Sequence, residues 1–212
     1  MGREFVELFD EWAESYDETV SSRENEYHEV FEHYDEILAE VVRCAEGTVL
    51  EFGVGTGNLT EKLLKAGHRV IGIEPSPMMR KKAQNRLPGL KLFDGDFLHY
   101  PALDEPIDTI VSTYAFHHLT DSEKQTAVRR YGKQLPKGGK IVFADTVFDN
   151  ENAKLALFER VKQQNYLRLL HDLQTEYYTF RQALEEIFTA SGFAVQFTRL
   201  NRYVSLMEAE KK

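Results

Sequence analysis

The sequence predicts an α/β fold built around a mostly parallel β-sheet, and three observations lead to this prediction. From residue 48 onward, short apolar runs alternate with helical patterns, as in β–α–β units. The first apolar run, residues 48–52, ends in a turn with glycine at every second position: Gly53, Gly55 and Gly57. The last two apolar runs are joined by a short turn at residues 201–202, so their strands must be antiparallel.

Length and composition narrow the class of protein. At 212 residues, we expect one domain, 1–212, with a sheet that is covered on both faces. The net charge of −9 disfavours a nucleic-acid partner. The single cysteine, Cys44, excludes an internal disulfide and a zinc cluster of several thiolates. With no apolar run of about 18 residues, we expect a cytoplasmic protein, monomer or homodimer, that binds a small molecule and no membrane.

Two amphipathic helices are predicted before the first strand. Apolar residues recur at helical spacing in residues 5–16 and again in residues 27–42, with the second helix ending near Gly47. Each apolar stripe must pack against another surface. The charged segment 17–26 is predicted to be a surface connection.

The central part of the chain is predicted to alternate strands and helices. The strands are expected at residues 48–52, 70–73, 90–93, 107–112 and 140–144, and the helices at 59–66, 77–86 and 120–135. Three helix starts carry capping signals, namely the Asn-x-x-Glu pattern from Asn58, the pair Ser76-Pro77 and the Thr-x-x-Glu pattern from Thr120.

The alternation lapses after the fifth strand. Residues 146–178 contain one long helical pattern, which we interpret as an insertion over the carboxyl edge of the sheet. A last helix at 180–190 and two strands near 193–197 and 203–207 follow. The predicted subdivisions are an N-terminal helical part (1–46), a core (47–145), the insertion (146–178) and the final helix with its strand pair (179–212).

The residues that follow the strands point to an adenosine ligand. In an open α/β sheet, ligands bind beyond the carboxyl ends of the strands. Glu74 follows the second strand, about twenty residues after the glycine turn, where a carboxylate can accept hydrogen bonds from ribose hydroxyls. Asp96 follows the third strand and could accept from an adenine amino group, with Phe97 against the ring. Three alternatives stay open. Glu74 could instead cap the following helix, and Asp96 could instead be a turn residue. Asp94 could take the adenine-binding role in place of Asp96.

The glycine turn departs from the dinucleotide-binding pattern. The spacing is G-x-G-x-G, and Asn58 stands where the dinucleotide fingerprint has its third glycine. Glu51 precedes the turn and would repel a pyrophosphate. These features favour a phosphate-free adenosine ligand.

The motifs, in order, resemble those of class I S-adenosylmethionine-dependent methyltransferases. The series comprises Glu51-x-Gly53-x-Gly55-x-Gly57, Glu74-Pro75-Ser76, Gly95-Asp96-Phe97, Asp108 in the fourth strand and Leu135-Pro136-Lys137-Gly138-Gly139. The similarity runs from about residue 5 to residue 207. Gly-Arg-Glu-Phe at the start and Ser-Thr-Tyr-Ala-Phe-His-His-Leu after the fourth strand are similar to the small bacillary YrrT-like methyltransferases.

This resemblance implies a Rossmann-like sheet of seven strands in the order 3-2-1-4-5-7-6, with strand 7 antiparallel. It also implies S-adenosylmethionine (SAM) as cofactor and N-terminal helices that close over the site as a lid with Tyr16, although Tyr16 could simply end an apolar stripe. The residues expected around the cofactor are Gly53, Gly55, Gly57, Glu74, Asp96, Phe97, Glu51, Thr113 and Tyr16.

Methyl transfer from a sulfonium is an in-line displacement with a neutral leaving group. The protein must hold an acceptor lone pair about 3 Å from the methyl group, and it needs a general base only if the acceptor is protonated. One of His117 and His118, or else Asp145, is a candidate for this role; packing at a helix start is the alternative for the histidines. No ligand spacing predicts a metal site.

Two other functions stay open at this point. The chain could be a sensor that binds SAM or S-adenosylhomocysteine without catalysis. It could also be a dinucleotide oxidoreductase, which Asn58 disfavours.

Overall fold

The computed structural model describes residues 5–22 and 26–212, and it confirms the α/β fold. The strands are β1 (Thr48–Phe52), β2 (Arg69–Ile73), β3 (Lys91–Phe93), β4 (Thr109–Thr113), β5 (Lys140–Phe148), β6 (Thr179–Phe180), β7 (Phe193–Arg199) and β8 (Val204–Lys211). The helices are α1 (Val6–Trp12), α2 (Tyr16–Ser21), α3 (Tyr34–Cys44), α4 (Asn58–Lys65), α5 (Pro77–Arg86), α6 (Asp121–Gln134), α7 (Glu151–Gln163), α8 (Leu167–Thr175) and α9 (Arg181–Ala190), with a 3-10 helix at Phe116–His118.

The sheet has the order β3-β2-β1-β4-β5-β8-β7. The first five strands in this order are parallel, and β8 is antiparallel to both of its neighbours, as predicted. The two-residue β6 was not predicted and pairs with the end of β5. Without β6, the observed order is the predicted one.

The two faces of the sheet bury separate apolar clusters. Along β1, Val49 belongs to one cluster, and Leu50 and Phe52 belong to the other. This alternation follows from the two-residue period of a strand. Helices cover both faces, so the carboxyl edge of the parallel strands is where a ligand can enter.

The N-terminal helices differ from their prediction. The predicted helix 5–16 is two helices, α1 and α2, and α2 extends into the segment predicted to be a surface connection. The predicted helix 27–42 begins only at Tyr34, because residues 26–33 form turns and His33 has a left-handed φ of 61°. Apolar periodicity persists through these turns because Tyr27 and Val30 are half-buried and Phe31 is buried.

Two of the three predicted helix caps are confirmed. The Ser76 hydroxyl accepts from the Met79 N–H, and Thr120 and Glu123 form a complete capping box. The predicted Asn58 cap is wrong, because Gly57 is the N-cap of α4 and makes no side-chain cap bond. The Asn58 amide instead donates to Asp17, at 3.0 Å.

The predicted insertion consists of two helices rather than one. α7 ends at Gln163, and Asn165 adopts a left-handed φ of 58° before α8 begins. Strand β5 also runs past its predicted end at residue 144 to Phe148. Within the described part of the chain, no helix is long and apolar enough to cross a bilayer.

Candidate active site

The glycine turn connects the end of β1 to α4. Gly53, Gly55 and Gly57 have left-handed φ values of 70°, 57° and 93°, a conformation that other residues adopt at a cost. The Gly53 N–H donates to the Ile73 carbonyl at 2.9 Å and so joins the turn to β2.

Glu74 lies at the end of β2, directly beside this turn. Its side chain is buried, and its two oxygens accept from the Gly55 N–H and the Ser76 N–H, each at 2.8 Å. Burial raises the pKa of Glu74 to about 7, against the effect of these two N–H groups. The carboxylate is thus held in one orientation between two backbone segments.

Asp96 and Phe97 follow β3. One Asp96 oxygen accepts from the Leu98 and His99 N–H groups, both at 2.8 Å, so this residue does organise a turn. The Phe97 ring stacks on Phe52, with 5.2 Å between ring centroids. Both residues nevertheless border the same pocket as Glu74.

This first pocket lies at the carboxyl edge of the sheet and holds about 680 Å³ of empty space, including its open mouth. Its walls are Phe9, Tyr16, Phe52, Gly53, Gly55, Glu74, Pro75, Met79, Asp96, Phe97, Thr113, Tyr114, Ala115 and His118.

The first two helices are tied to the loops around the first pocket by carboxylates. Asp10 in α1 accepts from the Ser76 hydroxyl at 2.5 Å, and Asp17 in α2 accepts from the Thr56 hydroxyl at 2.7 Å. Tyr16 is placed on the pocket wall by these contacts. Burial, followed by the neighbouring Tyr34, raises the pKa of Tyr16 well above its usual value.

A second pocket lies next to the first, under α8. It holds about 650 Å³ of empty space, again including its mouth. Aromatic side chains and two carboxylates dominate its walls, which are Phe9, Trp12, Tyr16, Tyr27, Val30, Phe31, Tyr114, His117, His118, Thr146, Leu169, Asp172, Leu173, Glu176, Tyr178 and Tyr203. Phe9, Tyr16, Tyr114 and His118 line both pockets.

A cluster of ionisable groups forms one end of the second pocket. His117 Nδ1 lies 2.6 Å from an Asp145 oxygen, and His117 Nε2 lies 3.3 Å from Glu176 Oε2. His118 Nε2 lies 3.7 Å from the other Glu176 oxygen. The Tyr178 hydroxyl donates to Glu176 Oε2 at 2.5 Å.

The two adjacent histidines have opposite pKa shifts. Burial opposes protonation of both rings. The carboxylates of Asp145 and Glu176 outweigh burial at His117 and raise its pKa. Burial and the neighbouring His117 lower the pKa of His118. Protonation is therefore more favourable at His117 than at His118.

Comparison with known proteins gives the family. Residues 49–139 match the family model of a methyltransferase domain. An uncharacterized methyltransferase of Anoxybacillus flavithermus is 54% identical over 212 residues and is covered in full, as is this chain. The uncharacterized methyltransferase YrrT of Bacillus subtilis is 53% identical over 213 residues, with 100% of both chains covered. The chain belongs to this family of methyltransferases.

Solved structures show the same fold at low sequence identity. A SAM-dependent methyltransferase of Thermotoga maritima, described as a possible histamine N-methyltransferase, has a TM-score of 0.69 and 19% identity, covering 98% of this methyltransferase and 99% of that chain. Magnesium protoporphyrin IX methyltransferase of Synechocystis with bound SAM has a TM-score of 0.60 and 16% identity, covering 87% and 82%. The predicted class I methyltransferase fold is confirmed.

Most of the residues predicted around a cofactor meet at the first pocket of the methyltransferase. Its walls include Tyr16, Gly53, Gly55, Glu74, Asp96, Phe97 and Thr113. Glu51 and Gly57 lie outside these walls. Glu51 is buried under the turn, where it accepts from the Thr60 hydroxyl at 2.6 Å, and burial raises its pKa to about 8. Gly57 supports the start of α4.

Of the residues predicted to act on the methyl acceptor, only some line the second pocket. His117 and His118 line the second pocket, whereas Asp145 lies behind His117 and holds its ring. Tyr178, two residues after Glu176, also lines the second pocket. Sequence reasoning missed Glu176, which has no local motif; its only signal was its position within the predicted insertion.

Replacing Gly53 by alanine is expected to weaken cofactor binding about ten-fold, the equivalent of ~1.4 kcal/mol. The added Cβ would lie 2.9 Å from the Ala115 Cβ on the pocket wall, at a left-handed φ of 70°. Binding calorimetry with SAM measures the effect.

Gly67→Ala is the matched control for backbone strain. Its φ is 91°, and no atom lies within 4 Å of the added Cβ. We expect Gly67→Ala to lose about 1 kcal/mol of folding stability from its backbone conformation, and Gly53→Ala to lose more because of its contact with Ala115. Only Gly53→Ala should lose affinity. An equal affinity loss in both would show that Gly53 does not border the ligand.

Proposed function

We propose that this methyltransferase binds SAM in the first pocket and transfers its methyl group to a small molecule in the second pocket. The observation that carries the proposal is the wall that the two pockets share, formed by Phe9, Tyr16, Tyr114 and His118. A methyl group at this boundary would face an acceptor directly, as in-line displacement requires.

The polar groups of the first pocket match those of adenosine. The Glu74 carboxylate can accept from both ribose hydroxyls, and Asp96 can accept from the adenine amino group. The apolar side chains of Phe97 and Met79 offer surface for the base. The Synechocystis methyltransferase of the same fold contains bound SAM, which supports SAM as the ligand.

The second pocket suits an acceptor with an apolar body and one polar end. Aromatic rings such as Trp12, Tyr27 and Phe31 would hold the body and exclude water. The polar end would lie against His118 and Glu176, next to the shared wall. The acceptor's attacking lone pair forms the new bond to carbon while the carbon–sulfur electron pair returns to sulfur.

The setting we propose is cytoplasmic, with a small-molecule acceptor and no nucleic-acid partner. The net charge of −9 and the single, buried Cys44 support it. Monomer and homodimer both remain compatible with the proposal.

Two measurements test the proposal. Calorimetry should show binding of SAM and of S-adenosylhomocysteine but not of NAD. Turnover of methyl-labelled SAM against a panel of amines, thiols, hydroxyl compounds and carboxylates should yield S-adenosylhomocysteine and a labelled acceptor. Binding of NAD alone would refute the cofactor assignment.

A pocket-filling variant separates the enzyme from a sensor. Val30 lines only the second pocket, so Val30→Phe should abolish most turnover while leaving SAM affinity unchanged. Val195→Phe on the edge strand β7 makes the same change away from both pockets and should leave turnover intact. Tight SAM binding with no transfer across the panel would favour the sensor function instead.

SAM affinity is expected to rise with pH through about 7 and then level off. Glu74 has its pKa raised to about 7 by burial, and only its ionised form can accept from both ribose hydroxyls. Below pH 7, the dissociation constant should rise by up to about ten-fold per pH unit. Calorimetry between pH 6 and pH 8 measures it.

The Glu74→Gln variant is the control for this pH dependence, because it cannot ionise. Glu51, with its pKa raised to about 8, is the other buried carboxyl nearby and stays unchanged in the variant. The stability of the free protein should change with pH in the opposite direction to the SAM affinity. Because the pKa of Glu74 lies above its usual 4.5, ionising it costs the free protein stability as pH rises from 4.5 to about 7. If the pH dependence of SAM affinity persists in Glu74→Gln, a group other than Glu74 causes it.

A further inference from the structure

Three potential metal ligands from two parts of the chain converge at the end of the second pocket. His117 and His118 belong to the 3-10 helix after β4, and Glu176 follows α8. One ligand atom from each lies within 4.8 Å of the others. No metal site was predicted from the sequence, because His99, His117, His118 and Asp145 show no ligand spacing and Glu176 carries no local motif.

Both imidazole rings are held by their Nδ1 atoms. His117 Nδ1 lies 2.6 Å from an Asp145 oxygen, and His118 Nδ1 lies 3.0 Å from the Ala115 carbonyl. A carbonyl can only accept, so His118 Nδ1 carries the hydrogen and the Nε2 of the neutral ring presents a lone pair. Metal-binding histidines show this arrangement, with the other ring nitrogen bonded to a carboxylate or a carbonyl.

The third ligand is held in the same way. Glu176 Oε2 accepts from the Tyr178 hydroxyl at 2.5 Å, and the Tyr178 ring stacks on His117 at 4.7 Å. Phe5 and Phe9 pack on the other histidine, with ring centroids 4.8 Å and 5.0 Å from that of His118. All three ligands are therefore oriented by neighbours before any ion binds.

We propose that His117 Nε2, His118 Nε2 and Glu176 bind one divalent first-row transition-metal ion, for which Zn²⁺ is the best match. Two imidazoles and one carboxylate are a known zinc set that leaves a coordination position open. With ligands at about 2.0–2.1 Å, a tetrahedral site has ligand-to-ligand distances of about 3.3 Å. His117 Nε2 lies 3.3 Å from Glu176 Oε2, and His118 Nε2 lies 3.7 Å from Glu176 Oε1. With all three ligand atoms within 4.8 Å of one another, small side-chain movements would close the site around an ion.

The open position would face the second pocket, since all three ligands line it. This consequence rests on the proposed function. A thiol or hydroxyl of the acceptor could bind there and lose its proton to water, because a bound cation lowers the pKa of such a group. The resulting anion would displace the methyl group from the sulfonium, and the carbon–sulfur electron pair would return to sulfur.

Titration of the metal-free full chain with Co²⁺, a spectroscopic stand-in for Zn²⁺, tests the site without any methyl acceptor. We expect one equivalent to produce the visible absorption of a four- or five-coordinate ion and Zn²⁺ to displace it. Glu176→Gln and His118→Gln should each weaken binding by at least about 100-fold, beyond the loss that follows removal of an outer hydrogen-bond partner.

His171→Gln is the matched histidine control, because His171 is exposed on α8. It should bind Co²⁺ as the unchanged chain does. Far-UV circular dichroism checks the fold of each variant. If a variant does not fold, X-ray absorption of the unchanged chain with one equivalent of Zn²⁺ decides, since two imidazoles are expected among its ligands.

Either of two results would overturn the proposal. One is the absence of a stoichiometric ion in the unchanged chain, which would leave His117 in contact only with the carboxylates of Asp145 and Glu176. The other is binding that survives both Glu176→Gln and His118→Gln. Because the Co²⁺ titration uses neither SAM nor a methyl acceptor, its failure leaves the proposed methyl transfer standing, and failure of methyl transfer leaves the metal site standing.

Discussion

Glu74→Ala is expected to weaken SAM binding by about 3 kcal/mol, which is a factor of about 100 in the dissociation constant. The variant loses the acceptor for the ribose hydroxyls. It also releases the Gly55 and Ser76 N–H groups, both of which donate to Glu74 at 2.8 Å. Calorimetric titration with SAM measures the loss, and S-adenosylhomocysteine should show the same loss because it has the same ribose.

Asp94→Ala is the matched control for removing a carboxylate near the same edge of the sheet. Asp94 is exposed, pairs with Arg80 at 3.1 Å and does not line the first pocket. We expect its effect on affinity to stay below about 0.5 kcal/mol. Unchanged affinity in Glu74→Ala, with an intact circular dichroism spectrum, would remove Glu74 from the ribose.

Lys124→Met is expected to lower the free energy of unfolding by about 3 kcal/mol. The Lys124 ammonium is buried and donates to the carbonyls of Leu119 and Tyr177, both at 2.6 Å, and to the Thr179 hydroxyl at 2.7 Å. Methionine fills a similar volume but leaves these acceptors without their donor. Thermal unfolding should show a melting temperature lower by about 6–12 °C for a chain of this size.

Lys133→Met makes the same change on the exposed side of α6. Its unfolding free energy should stay within about 0.5 kcal/mol of the unchanged chain. Because Lys124 joins α6 to the segment that follows Glu176, we also expect metal or acceptor binding in the second pocket to weaken in Lys124→Met. Equal melting temperatures for the two variants would contradict the prediction.

The core of the fold was predictable because its signals are local. A strand buried on both faces reads as a short apolar run, as β1, β2 and β4 do. The order of the strands was expected from the resemblance to class I methyltransferases. The Thr120 capping box was predictable for the same reason, since its hydrogen bonds stay within four residues.

Several local signals were overridden by tertiary contacts. Asn58 has the sequence of a cap, but its amide donates to Asp17 and its carbonyl oxygen accepts from Arg86 at 2.5 Å. The helical pattern after Tyr27 reflects half-buried turns, because side chains such as Tyr27 and Val30 pack on a neighbouring cluster in the same way as a helix face. Apolar periodicity shows which residues are buried, and it cannot distinguish a helix from turns whose side chains are buried at the same spacing.

The candidate site also has one part that the sequence predicts and one part that depends on tertiary contacts. The positions beyond the strand ends, from Gly53 to Glu74, Asp96 and Thr113, can be read from the sequence, because parallel strands bring their carboxyl ends to one edge. Their meeting at the first pocket follows from that rule.

The second pocket depends on contacts between distant parts of the chain. Glu176 reaches His117 and His118 only because α8 packs over the end of the sheet, and Lys124 fixes that segment through the Tyr177 carbonyl. No local pattern records such a contact, since its free energy comes from burial and hydrogen bonds between separate elements. By itself, the sequence determined the methyltransferase fold and the edge at which the cofactor is expected. Only the tertiary structure decided which side chains line the second pocket.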